Sequence, residues 1–365
     1  MEFSLRAFLV KLFTFRWVWP CIARFTPFRK TFSMVTWRDT PRNEVWSSYR
    51  SFFQSRGYAL WVVKGYNLKP PNNNPRTPDG FSYENEHSAN GPHGYGAGSP
   101  LHFPARTADS RDVFIVLLSD GIIGDNCVDT LRSIATGVNA AIDRNHALPM
   151  LQEIYCDNLV FGVFPLVGSY FAPAWFSNIA QVLEAMSQVM EGVAFLHDHL
   201  VAHRDLFPSN FLSSRRNGLW IPGKSQDFLR PRYYIIDFEW AVRFSPDSDP
   251  ATRTVTGPPL SWDIYRRPPP PEMRSELPYC PFKADVWQVG KSFIRIVEHI
   301  ENQIPEILEI LRKMSTDRAE DRSSAREAVS QLNEVIARLP PQILQSPIEQ
   351  VDDYSMDEGD SLEEE

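Results

Sequence analysis

The sequence predicts an α+β protein in two lobes, with the strands first and the helices after them. Short β-type runs prevail between residues 37 and 165, whereas apolar residues at helical spacing prevail from residue 177 onward. Strands and helices segregated in this way are typical of α+β architectures. The chain has 365 residues, of which 43% are hydrophobic, so its length and composition suffice for one large two-lobed domain.

The first lobe is predicted from β runs joined by short turns. A helix and then a strand are expected over 37–63, and a strand at 113–118 ends in a Ser-Asp-Gly turn. A helix follows at 125–136, where apolar residues line one side. Residues 151–156 and 159–164 form a predicted hairpin around an Asp-Asn turn.

A long loop is predicted within this lobe at 67–108. The segment contains seven prolines, three consecutive asparagines and four glycines between 91 and 98. Such a composition is typical of an insertion or a linker rather than of regular secondary structure.

The second lobe is predicted to be helical. Eight apolar residues keep helical spacing over 177–200, which indicates a long helix with a wide buried stripe. A second strong helix starts near Ala284, and further helices are expected at 301–314 and 325–339.

Both ends of the chain differ from the predicted domain. The extension at 1–36 carries six Lys or Arg residues among aromatic ones before position 31, interrupted too often for a membrane span. A membrane-surface contact through residues 1–30, a start-site extension ahead of Met34 and a disordered arm stay open. Residues 341–365 are predicted to be a disordered tail, because eight acids and no base occupy the last fifteen positions.

Bulk charge and cysteine usage exclude some classes of function. The net charge of −8 argues against a nucleic-acid partner. The four cysteines are far apart, without a CxxC pair, which argues against a zinc site or a disulfide scaffold and favours a reducing, cytoplasmic location. They are Cys21, Cys127, Cys156 and Cys280.

Five motifs in the helical half carry the chemistry. Residues 203–210 (HRDLFPSN) follow the long helix and resemble the catalytic loop of protein kinases. The other four resemble further kinase motifs in the kinase order: DFE at 237–239, PE at 271–272, DVWQVG at 285–290 and RSSAREA at 322–328. The resemblance implies a bilobal protein-kinase-like fold, with a small β-rich N-lobe at 37–165 and a larger α-helical C-lobe at 166–340.

The resemblance also implies roles for individual residues. Asp205 would orient an acceptor hydroxyl and take its proton, and Arg204 would support the loop. Asn210 and Asp237 would bind ATP through Mg²⁺, for which hard oxygen ligands are suited. A buried salt bridge is expected between the glutamate of the PE motif and the first arginine of the RSSAREA motif.

The style of the sequence is also similar to that of divergent kinase-domain proteins found in many copies in mushroom-forming fungi. The residues that carry this resemblance are PART at 104–107, RDV at 111–113, FGVFP at 161–165 and IDFE at 236–239. It implies ATP binding and protein kinase activity.

Other positions depart from the kinase pattern. Val116 stands where the third strand should carry a phosphate-binding lysine, and residues 129–131 offer no glutamate to pair with one. Lys64 and Arg111 are candidate substitutes for that lysine. The glycines at 94–98 fit a flexible linker better than a phosphate-binding loop.

Two departures lie beside the catalytic motifs. Phe207 replaces the lysine expected two residues after Asp205, and Glu239 replaces the glycine of the metal-binding motif. The added acid would restrict that motif or alter its affinity for metal.

Three functions stay open at this point. The first is an ATP- and Mg²⁺-dependent protein kinase of low activity, acting on Ser or Thr rather than Tyr. The second is a pseudokinase that binds a partner. The third, a small-molecule phosphotransferase, fits the PE and DVWQVG motifs less well. The sequence indicates neither the protein substrate or partner, nor the phosphosite, nor the oligomeric state.

Overall fold

The computed structural model describes most of the two predicted lobes. The described residues are 42–64, 67–81, 101–121, 124–167, 169–170, 176–214, 230–262, 265 and 267–348. They fall into two compact units, one holding the described residues up to 80, 101–128 and 150–166, and the other holding 81, 129–149 and 167–348. No helix in this described part of the chain is long and apolar enough to cross a bilayer.

The first unit is built on a five-stranded antiparallel sheet. Its order is β1-β4-β5-β7-β6, and a separate antiparallel pair, β2-β3, lies between β1 and β4 in sequence. The strands are β1 (Tyr58–Leu60), β2 (Val62–Lys64), β3 (Asn67–Lys69), β4 (His102–Thr107), β5 (Asp112–Ser119), β6 (Gln152–Cys156) and β7 (Leu159–Pro165).

An aromatic core joins the N-terminal helices to this sheet. Helices α1 (Arg42–Ser48) and α2 (Arg50–Ser55) precede β1. The ring of Trp46 stacks on Phe103 of β4 with centroids 5.3 Å apart, and Phe53 meets Phe161 of β7 edge-on at 5.2 Å. Burial of such large rings is the main source of stability in a small unit, which explains the aromatic-rich sequence before β1.

The predicted long loop at 67–108 is wrong in part, because β3 and β4 are strands. β4 lies at the end of the proline-rich stretch and contains Pro104. The carbonyl of Pro104 accepts from the Trp61 N–H at 3.0 Å, just past the end of β1. The N–H and C=O of one residue point to the same side of a strand, so the N–H that proline lacks would also face this end of β1. The ladder between β1 and β4 ends there, and the strand tolerates the missing donor.

The strand at 113–118, the helix at 125–136 and the hairpin at 151–164 are confirmed within one or two residues, whereas the single helix and strand expected over 37–63 are two short helices and two strands. β5 and the β6–β7 hairpin lie where β runs were expected, and α3 (Asp125–Ile134) follows β5. Asp157, in the hairpin turn, has a positive φ of 54°, which Asp and Asn tolerate better than most residues.

The second unit is mainly helical, as predicted. Its helices are α4 (Ile179–Asp198), α5 (Pro281–Val297), α6 (Pro305–Met314), α7 (Ala325–Arg338) and α8 (Pro341–Leu344). Twelve of the twenty residues of α4 are buried, so this helix forms the centre of the unit. α5 packs closely on the end of α6 at Gly290. A Cβ at this position would lie only 3.0 Å from the Leu311 carbonyl oxygen, so a larger residue would push the two helices apart.

Capping and one buried ion pair fix the C-terminal helices. Ser324 and Glu327 form a capping box at the start of α7. The expected salt bridge is confirmed: both Arg322 Nη atoms donate to the two Glu272 oxygens, at 2.6 and 2.8 Å. The Arg322 side chain is 0% exposed, so this bidentate pair lies inside the unit.

Five short strands complete the second unit. They are β8 (Ser169–Tyr170), β9 (Val201–Ala202), β10 (Phe211–Ser213), β11 (Tyr233–Ile235) and β12 (Val242–Arg243). β10 pairs with both β8 and β11, and β12 pairs with β9, all antiparallel.

Some expectations fall outside the described residues. These are the N-terminal extension at 1–36, the glycines at 94–98 and residues 349–365 of the tail, whose predicted disorder from 341 onward is wrong at its start because residues 341–344 form α8. The proposed domain boundaries stay predictions.

Candidate active site

Two strand pairs bring the catalytic-loop motif next to the metal-binding motif. Residues 203–210 run from β9 to β10, and residues 236–241 run from β11 to β12. Because β9 pairs with β12 and β10 pairs with β11, the two segments are held side by side at both ends. The Ile236 N–H donates to the Asn210 carbonyl at 3.0 Å, which joins them directly.

His203 links the same two segments through its ring. The ring is fully buried; Nε2 lies 2.9 Å from the Ile236 carbonyl, and Nδ1 accepts from the Asp205 N–H at 3.3 Å. These contacts require Nε2 to carry the proton and Nδ1 to be bare. Burial lowers the pKa of His203, against the opposing pull of Asp285 and Asp205, so the neutral ring is favoured.

A buried carboxylate on α5 fixes the start of the loop. The Asp285 oxygens accept from the backbone N–H groups of His203 and Arg204, each at 2.7 Å. His197, at the end of α4, also contacts Asp285 through Nε2 at 3.0 Å. Arg204 needs this support, because its φ of 70° is unfavourable for a residue with a side chain.

Gln288, one turn further along α5, fixes the middle of the loop. Its Oε1 accepts from the Leu206 N–H at 3.0 Å, and its Nε2 donates to the Arg204 carbonyl at 3.2 Å. Nε2 also donates to the Tyr265 hydroxyl at 3.1 Å. The DVWQVG motif by itself assigns no role to Asp285 or Gln288; the available signal was that both are polar residues among the apolar ones of α5.

Asp205 and Asn210 form a buried pair at the centre of the site. The Asn210 amide nitrogen donates to the Asp205 carbonyl at 2.8 Å and to its carboxylate Oδ2 at 2.6 Å. Asp205 is 3% exposed and Asn210 is 5% exposed. Because the amide nitrogen is directed at Asp205, the carbonyl oxygen of Asn210 is the atom of that side chain suited to a cation.

Asp237 adds an accessible carboxylate beside this pair. It has a left-handed backbone, with φ 69° and ψ 62°, and starts the 3₁₀ turn Phe238–Trp240. Its side chain is reached by solvent, yet the surrounding protein desolvates it and Glu239 and Asp205 repel its charge. These effects raise the pKa of Asp237 to about 7, with Arg267 opposing them.

Arg267 belongs to the site, although no sequence motif marks it. Its Nε lies 3.6 Å from Asp205 Oδ1, and its Nη2 donates to the Ser209 hydroxyl at 2.6 Å. Its guanidinium carbon lies 5.2 Å from the centre of the Phe207 ring. Arg267 lies far from the catalytic loop in sequence, so only the absence of the usual lysine at 207 hinted at another cation.

Arg204 lies beside the segment that follows the metal-binding motif. Its Nη2 donates to the Gly257 carbonyl at 3.3 Å, and the Tyr279 hydroxyl donates to the same carbonyl at 2.9 Å. Val255 and Tyr279 form an isolated antiparallel bridge there. Arg204 thus contacts the segment that the kinase resemblance identifies as the activation segment.

The candidate lysine substitutes differ in what the structure shows of them. Val116 lies on β5, the strand that precedes α3, and its assignment to the lysine position stays a prediction. Lys64 ends β2, which pairs with β3, and its side chain lies outside the described residues. Arg111 is 53% exposed and forms an ion pair with Asp109 at 3.1 Å.

The donor set fits a magnesium ion bound together with phosphates. Asn210 and Asp237 offer one amide and one carboxylate oxygen donor, and the crowding of Asp237 by Glu239 and Asp205 favours a cation beside it. In the described part of the chain, no cluster of three or more His, Cys, Asp or Glu side chains could hold a metal by itself. Mg²⁺ commonly takes one or two protein carboxylates and completes its shell with water and phosphate.

Comparison with known proteins agrees with this geometry. The sequence model of the protein kinase domain matches residues 169–305. Serine/threonine-protein kinase PTK2 of Candida glabrata is 30% identical over 116 residues, which are 31% of this chain and 14% of the relative. Serine/threonine-protein kinase ksp1 of Schizosaccharomyces pombe is 32% identical over 110 residues, which are 30% of this chain and 20% of the relative.

A third relative extends the pattern. Serine/threonine-protein kinase CAK1 of Saccharomyces cerevisiae is 30% identical over 90 residues, covering 24% of this chain and 22% of the relative. The chain thus spans no more than about a fifth of the length of these curated relatives. The paired loops at 203–210 and 236–241 lie inside this matched segment, so residues 169–305 are similar to a protein kinase domain in both sequence and α+β fold.

Proposed function

We propose that this chain is a protein kinase that moves the γ-phosphoryl group of ATP to a hydroxyl of a protein substrate. The observation that carries the proposal is the buried Asp205–Asn210 pair with the Asp237 carboxylate beside it. A base and two oxygen donors for a cation thus lie together on one rigid support. The similarity to proteins named serine/threonine kinases favours Ser and Thr over Tyr as acceptors.

The reaction follows from what these residues can do. The acceptor hydroxyl oxygen attacks the γ-phosphorus, and the bond from that phosphorus to the β–γ bridging oxygen breaks, so ADP leaves with the bonding electrons. The hydroxyl proton goes to the Asp205 carboxylate and from there to water. Asn210 keeps Asp205 oriented through its 2.6 Å hydrogen bond.

Asn210 and Asp237 would hold the magnesium ion. When bound, Mg²⁺ neutralises part of the phosphate charge and orients the phosphates. Asp237 is the ionised ligand of the pair. Its raised pKa means that it binds a cation better at pH values above about 7 than below.

Substitution of Asp205 by asparagine tests the proposal. Asn keeps the size of the side chain and removes the base, so we expect turnover with Mg²⁺–ATP to fall by about 10²–10⁴. Transfer of radiolabelled phosphate to casein and to the chain itself measures it. The matched control is Asp247→Asn, on an exposed turn, which should keep wild-type turnover. Equal turnover in wild type and Asp205→Asn would contradict the proposal.

A pseudokinase is the second candidate, because Phe207 and Val116 stand where two phosphate-binding lysines are expected. In that case the second unit serves as a docking surface, and Asp205→Asn leaves the cellular function intact. Turnover that depends on Asp205 would exclude it.

A further inference from the structure

Phe207 and Arg267 form a contact pair at the position of a missing cation. Phe207 lies two residues after Asp205 and is 6% exposed. Because its side chain is apolar, it brings no charge to the position where a lysine is expected. The guanidinium of Arg267 lies over this ring at 5.2 Å. An aromatic face attracts a cation, and the flat guanidinium can also stack on it. The ammonium group of a lysine in place of Arg267 is not planar and could not stack in this way.

Two further contacts fix the direction of Arg267. Its Nη2 donates to Ser209 Oγ at 2.6 Å, and its Nε lies 3.6 Å from Asp205 Oδ1. The guanidinium is therefore held by a ring, a hydroxyl and a carboxylate, all on the catalytic loop. The Arg267 side chain keeps 24% of its surface exposed, so it can still reach a ligand.

We propose that Arg267 supplies the positive charge on the transferring phosphoryl group in place of a lysine at position 207. The inference rests on the proposed kinase function. Asp205 takes the proton of the acceptor, so a cation 3.6 Å from its carboxylate lies beside the path of the phosphoryl group. A guanidinium presents several N–H donors in a fixed plane, which suits phosphate oxygens.

On this proposal the site keeps its cation, which comes from position 267 instead of position 207. A lysine at 207 together with Arg267 would place two cations against one carboxylate, whereas a phenylalanine leaves room and a stacking surface for the guanidinium. A variant that carries a lysine at 207 and lacks Arg267 should consequently keep more turnover than a variant that only lacks Arg267.

Variants of the full chain test this. Arg267→Gln and Arg267→Ala remove the charge, Arg267→Lys keeps it without the planar fork, and Phe207→Lys with Arg267→Ala returns it to position 207. The matched control is Arg253→Ala, in the segment between the DFE and PE motifs, whose guanidinium donates to the hydroxyl and the carbonyl of Ser248. Thermal melts check that each variant is folded.

Two readouts are needed for each variant. One is turnover with Mg²⁺–ATP on casein, and the other is the ratio of ATP to ADP affinity measured by calorimetry with Mg²⁺. We expect Arg267→Gln and Arg267→Ala to lose about 10²-fold in turnover and most of the preference for ATP, as for loss of one transition-state donor. Arg267→Lys should lose less, and the double variant should recover at least tenfold over Arg267→Ala.

The outcomes separate this inference from the proposed function. If the wild type turns over and Arg267→Gln turns over equally fast or faster, the role of Arg267 is overturned and the kinase function stands. No turnover in wild type, but a preference for ATP that Arg267→Gln abolishes, would overturn the kinase function and keep the phosphate contact. No preference for ATP over ADP in wild type overturns the phosphate contact as well.

Discussion

Asp285 is a buried carboxylate whose function in this molecule is structural. Its two oxygens accept from two consecutive backbone N–H groups and contact His197, and its side chain is 0% exposed. A buried acceptor that satisfies several donors is expensive to remove, because each donor left without a partner keeps its desolvation cost. The loop that carries Asp205 thus depends on a residue that never touches a substrate.

Asp285→Asn should therefore destabilise the protein strongly. The substitution turns one acceptor oxygen into an NH₂ group that faces an N–H donor, and it removes the charge. We expect a loss of about 2–4 kcal/mol in the free energy of unfolding, measured by urea denaturation. Asp321→Asn, which is exposed, is the control and should change stability by less than about 0.5 kcal/mol. A loss below about 1 kcal/mol in Asp285→Asn would contradict the structural role.

The buried neutral ring of His203 predicts a dependence of stability on pH. Its pKa is lowered in the folded state, so the unfolded chain binds the proton first as the pH falls below about 6.5. The contribution is therefore fully present above that pH and is lost as the pH falls towards the lower folded-state pKa. His203→Gln, which cannot titrate, should show a smaller loss of stability between pH 7 and pH 5.

The measurement is the difference in urea midpoint between pH 7 and pH 5 for both proteins. Other groups titrate in this range, but they are common to both and cancel in the comparison. An identical loss in wild type and His203→Gln would contradict the lowered pKa of the His203 ring in the folded state.

Strands β4 and β5 are joined by a buried ion pair. Arg106 donates to both oxygens of Asp112, at 2.7 and 2.9 Å, and each residue is 2% exposed. Arg106 also donates to the Asn74 carbonyl at 2.8 Å, so the segment after β3 is tied to the sheet. Both residues lie in the PART and RDV runs that carried the fungal resemblance.

Removal of one partner of this pair should cost far more than removal of both. Asp112→Ala leaves a buried guanidinium charge without its carboxylate, for which we expect about 3–5 kcal/mol of lost stability. Arg106→Met with Asp112→Leu removes both charges and should be less destabilising than Asp112→Ala alone. Urea unfolding of the two variants decides; a double variant that is the less stable of the two would contradict this account.

Helices and strands whose residues carry a clear local signal were predicted well. A strand whose residues have the composition of a loop was missed. The helical spacing of apolar residues in α4 and the Asp-Asn turn between the β runs of β6 and β7 are local signals, and both elements were found. β4 was missed because Pro104 and its neighbours carry loop propensity. Only its pairing with β1 and β5 makes it a strand, and pairing is not local information.

Across the whole molecule, the sequence predicts which residues bear the chemistry but not how they are held. HRDLFPSN and DFE are contiguous motifs, so Asp205, Asn210 and Asp237 could be named from the sequence. Arg267 acts through contacts with Phe207 and Ser209 that only the folded chain creates. The same holds for Gln288, whose three contacts lie on two separate segments.

Nucleotide binding should stabilise the whole protein in a metal-dependent way. At about 100 times the dissociation constant, Mg²⁺–ATP adds about 2.7 kcal/mol to the free energy of unfolding, which is a rise of several degrees in Tm. Because Asp237 would hold the ion, Asp237→Asn should lose the part of the shift that needs Mg²⁺. A shift of equal size with EDTA present would contradict the assignment of Asp237.

The support of the catalytic loop by α5 has a consequence for how this chain tolerates mutation. Asp285, Gln288 and His203 serve folding, so a change at any of them should appear in a cell as a loss of protein rather than as an inactive protein. An exposed residue such as Glu239 is under no such demand from the loop's backbone. Drift in the chemistry of this lineage can thus proceed through the side chains that face the ligand while the loop beneath them stays the same.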